Sequence, residues 1–507
     1  MAAVAHRTRG PATPVAPAPS FAPAIAAATV FMASGAVLVL EILAVRLLAP
    51  YVGLTMETTT SIIGAALAGI ALGAAFGGWL ADHTDPRRLV VGLLIVGGLL
   101  SLLTVPVVRW LGPGARDGGQ LSALGITLLS LVPSAAVLSA VSPTMARLQL
   151  RDLRASGTVV GRLSAWATAG ALVGTFGTGF VLVPLLPVST AVLAIGVVLV
   201  LAGLLLGGYT RALGRAGAAG AIAATIAFAL LAATRDSPCD AESTYHCARV
   251  EVDAARPTGR ALVLDDLHNS YVDLADPTHL EYPYTKWIAQ AIDATAGAPR
   301  RPRDVVFVGG GGFTLPRWLT ATRPGSHAHV LEVDQKLVDL DRRRLGLQTS
   351  PALRVTVGDA RTTLRTEPDA SADVVVGDAF GGLSVPWHLT TREWIEDVRR
   401  VLRPGGVYAL NVIDFGPHGL LRAETATLLG LFADVQLVAV PGEDGLPGDG
   451  NAVLLASDRP LPGNGGTDAG GAFTYPRADV VAYARGGEQL RDDYAPADQL
   501  LTPPPSS

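Results

Sequence analysis

Hydrophobic positions follow two regimes that meet near residue 235. From 24 to 233 the chain runs in long apolar stretches, near 24–46, 60–81, 89–110, 121–142, 163–184, 187–208 and 217–233. Each is close to the roughly 20 residues that a helix needs to cross a bilayer, the last being the shortest. Beyond 235 the apolar runs are short. Tyr245 to Val252 and Ala261 to Leu264 alternate as antiparallel strands do, and a helix is predicted from Tyr284 to Ala294. Strands and helices then alternate to about Ala456, with Glu393 to Leu402, Arg403 to Gly406 and Val407 to Val412 reading as helix, turn and strand. The predicted organisation is a disordered tail over 1–23, a membrane domain over 24–234, a small β unit over 235–284, a Rossmann-like α/β domain over 285–457, and a poorly ordered tail over 458–507 with one short helix near 477–484.

One junction in the second half carries chemistry. Asp304-Val-Val-Phe-Val308 runs without a break into Gly309, Gly310, Gly311 and Gly312, then into a helix start. Glycines serve where the backbone turns at positive φ or where a ligand must come close, and a helix N-terminus offers free N–H groups. Thr314 is the expected cap, with Pro316 in the first turn, where its missing N–H costs nothing. Glu332 follows Gly312 by twenty residues at the end of the next strand, where nucleotide-binding sheets place a carboxylate on the ribose hydroxyls. Asp359 and Asp378 end the two strands after that. Taken singly, each of these acids reads equally well as a helix cap or a solvated loop residue. Together with the glycines they line one edge of a parallel sheet, where open α/β folds bind ligands.

Composition and charge sharpen the division at 235. The chain has 507 residues, 50% of them hydrophobic, and a mean hydropathy of +0.40, too apolar for a single water-soluble domain. Residues 1–234 carry 13 basic and 6 acidic side chains, net +7, and the remainder 26 and 37, net −11, which together give the net −4. An acidic second half argues against a nucleic-acid partner. Ten arginines (7, 9, 87, 88, 147, 151, 154, 162, 211 and 215) fall on one side of the expected spans, against Arg109, Arg116 and Arg235 on the other. That bias predicts a cytoplasmic N-terminus and, after seven spans, an extracytoplasmic second half of a multi-pass protein of the cell membrane. Cys239 and Cys247, the only cysteines, lie just past the last span and fit a disulfide in an oxidising compartment. No metal site is expected. Gly69, Gly73 and Gly77, and likewise Gly170 and Gly174, mark smooth helix faces for close packing. Glu41 lies deep in the first span, either bonding a neighbouring helix or lining a polar path, and Arg46 is expected near the interface.

Several motifs occur in an order that resembles the spermidine synthases, the polyamine aminopropyltransferases: Leu262-Val-Leu-Asp-Asp266, the glycine loop, Leu331-Glu-Val-Asp334, Gly358-Asp-Ala360, Gly377-Asp-Ala379 and Arg403-Pro-Gly-Gly406. The whole chain is similar to bacterial proteins in which a multi-span membrane domain is fused to a spermidine synthase-like domain. Glu41-Ile-Leu-Ala-Val-Arg-Leu-Leu-Ala-Pro-Tyr51 and Gly161-Arg-Leu-Ser-Ala-Trp166 share in that resemblance. It implies a small β unit before a class I methyltransferase-type sheet, and aminopropyl transfer from decarboxylated S-adenosylmethionine, or another transfer from S-adenosylmethionine, to a small-molecule amine. In that scheme Gly309, Gly310, Gly312 and Ala360 cradle the nucleoside, Glu332 holds the ribose, Asp359 the adenine amino group, and Asp378 takes the amine's proton. Two amine-binding carboxylates of the family fall on Gly311 and Gly381, a glutamine falls on His246, and the Tyr-His-Glu signature finds only Glu281-Tyr-Pro-Tyr284. The substrate-binding residues are therefore left unassigned. A non-catalytic nucleoside-sensing module and a transporter whose path includes Glu41 remain as rivals, and a homo-oligomer is compatible with all three readings.

Overall fold

The computed structural model describes residues 21–53, 56–115, 119–150, 156–294, 301–461 and 471–502; the expected disordered tail over 1–23 lies almost wholly outside the described residues. The chain divides into two compact units, one of residues 1–48 and 56–236, the other of 49–55 and 237–507.

The first unit is all helix: α1 (Pro23–Val52), α2 (Met56–His83), α3 (Pro86–Leu111), α4 (Gly119–Ser130), α5 (Val132–Ser139), α6 (Val141–Gln149), α7 (Ser156–Gly177), α8 (Val183–Leu185), α9 (Val188–Thr210) and α10 (Arg215–Ala232). Among the described residues, six helices are long and apolar enough to cross a membrane. A bent pair, Leu121–Ser130 with Val132–Gln149, broken at 43°, makes a seventh if it counts as one span. The fourth expected span is therefore a broken helix rather than a straight one. The small-residue faces do pack closely. A Cβ at Gly69, Gly73 or Gly77 would strike Val132, Ala136 or Ala140, and one at Gly170 or Gly174 would strike the backbone of Phe31 or Gly35, so only glycine lets these helices approach so near. Glu41 is 9% exposed on α1, and its Oε2 has no hydrogen-bond partner. Arg46 is half-buried on the same helix.

The second unit opens with a four-stranded antiparallel sheet of β1 (Ala241–Glu242), β2 (Cys247–Val252), β3 (Gly259–Leu264) and β4 (Leu267–Asp273). Cys239 and Cys247 are joined in a disulfide that ties the approach to β1 to the first residue of β2. Helix α11 (Pro283–Ala294) leads to the larger sheet: β5 (Asp304–Val308), α12 (Thr314–Thr322), β6 (His327–Glu332), α13 (Gln335–Arg344), β7 (Leu353–Val357), α14 (Ala360–Thr363), β8 (Ala372–Gly377), α15 (Arg392–Val401), β9 (Leu402–Asp414), α16 (Gly419–Leu429), β10 (Asp434–Pro441) and β11 (Pro447–Ser457). Strand order is β12-β10-β11-β9-β8-β5-β6-β7, where β12 is Phe473–Tyr475. The strands from β7 to β9 run parallel; β10, β11 and β12 pair antiparallel. This is a doubly wound sheet whose order reverses between β5 and β8, the place where such folds open a crevice beyond the strands' carboxyl ends.

Two expectations are corrected here. Arg403 to Gly406 is not a turn ahead of the strand but a bulge inside β9, because β8 pairs Ala372 with Leu402 and then Val374 with Val407, the extra residues being taken up around Gly405 at φ +85°. The expected poorly ordered tail over 458–507 supplies β12, helix α17 (Arg477–Tyr483) and helix α18 (Ala497–Leu500). Tyr475, Val480, Tyr483, Leu490 and Ala497 are buried in the core that lies under α15 and α16. These apolar residues are spaced too irregularly among Gly, Pro and charge to show as a period, yet each finds a place against an existing sheet.

Candidate active site

The glycine loop follows β5 as its sequence demands. Gly309 sits at φ +95° and Gly311 at φ +48°, a region that side chains rarely adopt, and a Cβ at Gly309 would collide with the Asp378 backbone. The ladder continues past the strands into this loop: Gly309 N–H donates to Leu331 O, Asp378 N–H to Val308 O and Gly358 N–H to Glu332 O, each at 2.9 Å. Four strand ends, of β5, β6, β7 and β8, are thereby locked into one edge. Thr314 does not cap α12. The cap position is Phe313 at φ +57° with no side-chain bond, and the Thr314 hydroxyl instead donates to Tyr271 O at 2.8 Å, fixing the helix start to β4.

Glu332 is 6% exposed. Its Oε2 accepts from Gly310 N–H at 2.7 Å and its Oε1 from Asp334 N–H at 2.8 Å. Burial raises its pKa, and these two N–H groups pull the other way. Each oxygen keeps a second acceptor site. Asp334 caps α13. Asp359 caps α14, accepting from Arg361 N–H at 2.7 Å, and lies 3.5 Å from His388 Nε2, so its carboxylate is partly committed to structure. Ala360 is buried in the first turn of that helix. Tyr245, in the β1–β2 turn, has its phenol pKa raised by burial and by the charges of Asp334, Asp359 and Glu332. Beside it His246 Nδ1 lies 3.1 Å from Asp265 Oδ2, while Asp265 Oδ1 accepts from Cys247 N–H at 3.0 Å.

Asp378 keeps some exposure as a residue, while burial of its carboxyl pushes its pKa up to about 6. Asn411 Nδ2 donates to Oδ1 at 2.8 Å and Tyr284 OH to Oδ2 at 3.3 Å, both holding the pKa down against burial. Tyr284 belongs to α11, and burial with the nearby Asp378 charge pushes its own pKa upward. A carboxyl that titrates near neutrality, held by neutral donors, is suited to accept a proton from an attacking nucleophile.

Gly311 and Gly381, the two positions where the resemblance expects amine-binding carboxylates, differ in kind. Gly311 faces β4: a Cβ there would lie 2.5 Å from Ser270 Oγ and 2.9 Å from Asn269 Oδ1, and Ser270 Oγ accepts from Gly312 N–H at 3.0 Å. Around Gly381 a Cβ would meet nothing within 4 Å.

No family model matches the chain. It is 28% identical to the polyamine aminopropyltransferase 2 of Streptomyces coelicolor, over 93% of this chain and 90% of that protein. It is 30% identical to the polyamine aminopropyltransferase of Vibrio vulnificus over 32% of this chain, a match that spans about half (52%) of that relative. The chain is spermidine synthase-like. Among solved structures, a probable spermidine synthase from Corynebacterium glutamicum aligns with 51% of this chain and 96% of its own length, at 26% identity and a TM-score of 0.46.

The expected residues Gly309, Gly310, Gly312, Glu332, Asp359 and Asp378 come from the loops and strand ends at the carboxyl edge of this sheet, and Ala360 from the helical turn that follows one of them. Sequence reasoning missed Asn411, Tyr284 as a partner of Asp378, and the Ser270–Asn269 pair. Asn411 had a signal. Along β9, Val407 and Ala409 are buried on the face that α11 covers, and period two puts Asn411 next on that face.

Proposed function

We propose that the second unit transfers an aminopropyl group from decarboxylated S-adenosylmethionine to an amine. The neutral amine nitrogen attacks the aminopropyl carbon beside the sulfonium, the carbon–sulfur bond breaks to release methylthioadenosine, and the amine's proton passes to Asp378. The observation that carries this reading is the buried Asp378 carboxyl, raised to about 6 and held by Tyr284 and Asn411 at the glycine-loop edge. Glu332 supports the donor side, since each oxygen keeps a free acceptor site for a ribose hydroxyl.

The acceptor reads as an amine that needs one carboxylate rather than a diamine held at both ends, because glycine stands at 311 and 381. Those same glycines, with Asp359 engaged as a helix cap, favour a second reading in which the site binds a nucleoside without turnover. The apolar helices support placement in a lipid bilayer, and the arginine bias with the Cys239–Cys247 disulfide supports an extracytoplasmic second unit. Full-length protein assayed with decarboxylated S-adenosylmethionine and a panel of mono- and diamines separates the two readings. Methylthioadenosine formed only when amine is present supports transfer; nucleoside binding with none formed supports sensing.

A further inference from the structure

The α11-facing side of the large sheet is apolar along Val374 and Val376, Val407 and Ala409, and Leu455 and Val453. By period two the next residue of each column is Asp378, Asn411 and Asn451, so three neighbouring columns turn polar toward the same edge, Asn451 one pair beyond the level of Asn411. Val453 pairs with Asn411 and Asn451 with Ile413, making Asn411 and Asn451 diagonal neighbours on one face. Asn451 Nδ2 donates to Asn411 Oδ1 at 3.0 Å, and Asn411 Nδ2 donates to Asp378 Oδ1 at 2.8 Å. The amide of Asn411, 1% exposed, could face either way by itself. Its orientation is set by the donor placed on its oxygen.

We propose that Asn451 is a positioning residue for the transfer: by holding the Asn411 oxygen it keeps the Asn411 N–H₂ group aimed at Asp378, so that the base is presented ionised and in one orientation. This rests on the reading of Asp378 as the proton acceptor. Without Asn451, Asn411 is free to turn its oxygen toward the carboxyl, replacing a donor by an acceptor, which favours the protonated acid. Among the described residues, the titratable group bonded to Asp378 is Tyr284 of α11, with Tyr282 stacked on it; β9 and β11 bring the two asparagines, which do not titrate.

The test is titration of the Asp378 carboxyl in full-length protein carrying ¹³C-labelled aspartate, its signal identified by its loss in Asp378→Asn. Asn451→Leu is expected to raise the midpoint by about one pH unit and to move the acid limb of the transfer rate by the same amount, with the donor KM unchanged. Asn411→Leu alone and the double variant should show equal midpoints, since Asn451 acts through Asn411. An unchanged midpoint in Asn451→Leu, or an additive double variant, overturns the proposal; a purely structural role would lower stability without moving the midpoint. If Asn451→Leu does not fold, Asn451→Val, whose β-branched side chain suits a strand and carries no donor, is held to the same criterion. A wild-type protein that transfers nothing defeats the reading of the reaction, whereas the titration still decides the role of Asn451.

Discussion

Glu332 Oε2 accepts the Gly310 N–H at 2.7 Å, so the carboxylate expected to hold a ribose also ties the glycine loop to the neighbouring strand. Binding and local structure are therefore coupled at this residue. Glu332→Ala removes the ribose acceptors and leaves the Gly310 and Asp334 N–H groups without their partner. Nucleoside binding should weaken by about 2–4 kcal/mol and stability fall by about 1–3 kcal/mol. Calorimetric titration with methylthioadenosine, alongside thermal unfolding, checks both; equal affinity in the two proteins would remove the ribose from Glu332.

Replacing Asp378 with Asn keeps the shape and removes the proposed base. Transfer should be lost while nucleoside affinity is spared. An active Asn variant would show that another group takes the proton. In the wild type, the rate should fall on the acid side with a midpoint near pH 6.

The raised pKa of Asp378 also has a stability consequence with a definite sign. The folded state holds this proton more tightly than the unfolded chain does, so the contribution is full below about pH 4 and lost as pH rises through about 6. A shift of about two units corresponds to about 3 kcal/mol at most. Asp378→Asn should therefore gain stability over wild type at pH 7 relative to pH 4, measured as the difference in denaturant midpoints. No change in that difference between the two pH values would place the carboxyl in a solvated setting.

Gly381 offers a gain-of-function test. A Cβ there meets nothing within 4 Å and its φ is not positive, so Gly381→Asp should fold and add a second carboxylate near the base. Diamine acceptors should then be used at lower concentration than by wild type. Gly311→Asp, which must displace Ser270 and Asn269 at a positive φ, should instead cost stability. A Gly381→Asp protein with an unaltered diamine KM would separate the missing carboxylates from acceptor choice.

The proposed placement of the second unit outside the cytoplasm bears on all of these, because the sulfonium donor is made in the cytoplasm. A membrane-impermeant thiol reagent applied to intact cells should label Cys239 and Cys247 only after mild reduction, as an external disulfide requires. Labelling that appears only on lysis would place the second unit inside, with its donor at hand.

Much of this protein was legible locally. Seven apolar stretches read as spans because the bilayer fixes a length, and among the described residues six of them are helices long and apolar enough to cross. The glycine loop and the acids at 332, 359 and 378 were legible because a strand, a positive-φ turn and a helix start follow one another along the chain, and their ladder bonds join them at one edge. Other features needed the tertiary structure. The bulge around Gly405 and the strand Phe473–Tyr475 depend on pairing partners far away in sequence. So do the contacts around the Asp378 carboxyl: Tyr284 reaches Asp378 across 94 residues through the packing of α11, and Asn451 reaches Asn411 across 40 through the register of β11 against β9. Periodicity assigns a residue to a face, but which faces meet, and at what level, is decided only when the whole sheet closes.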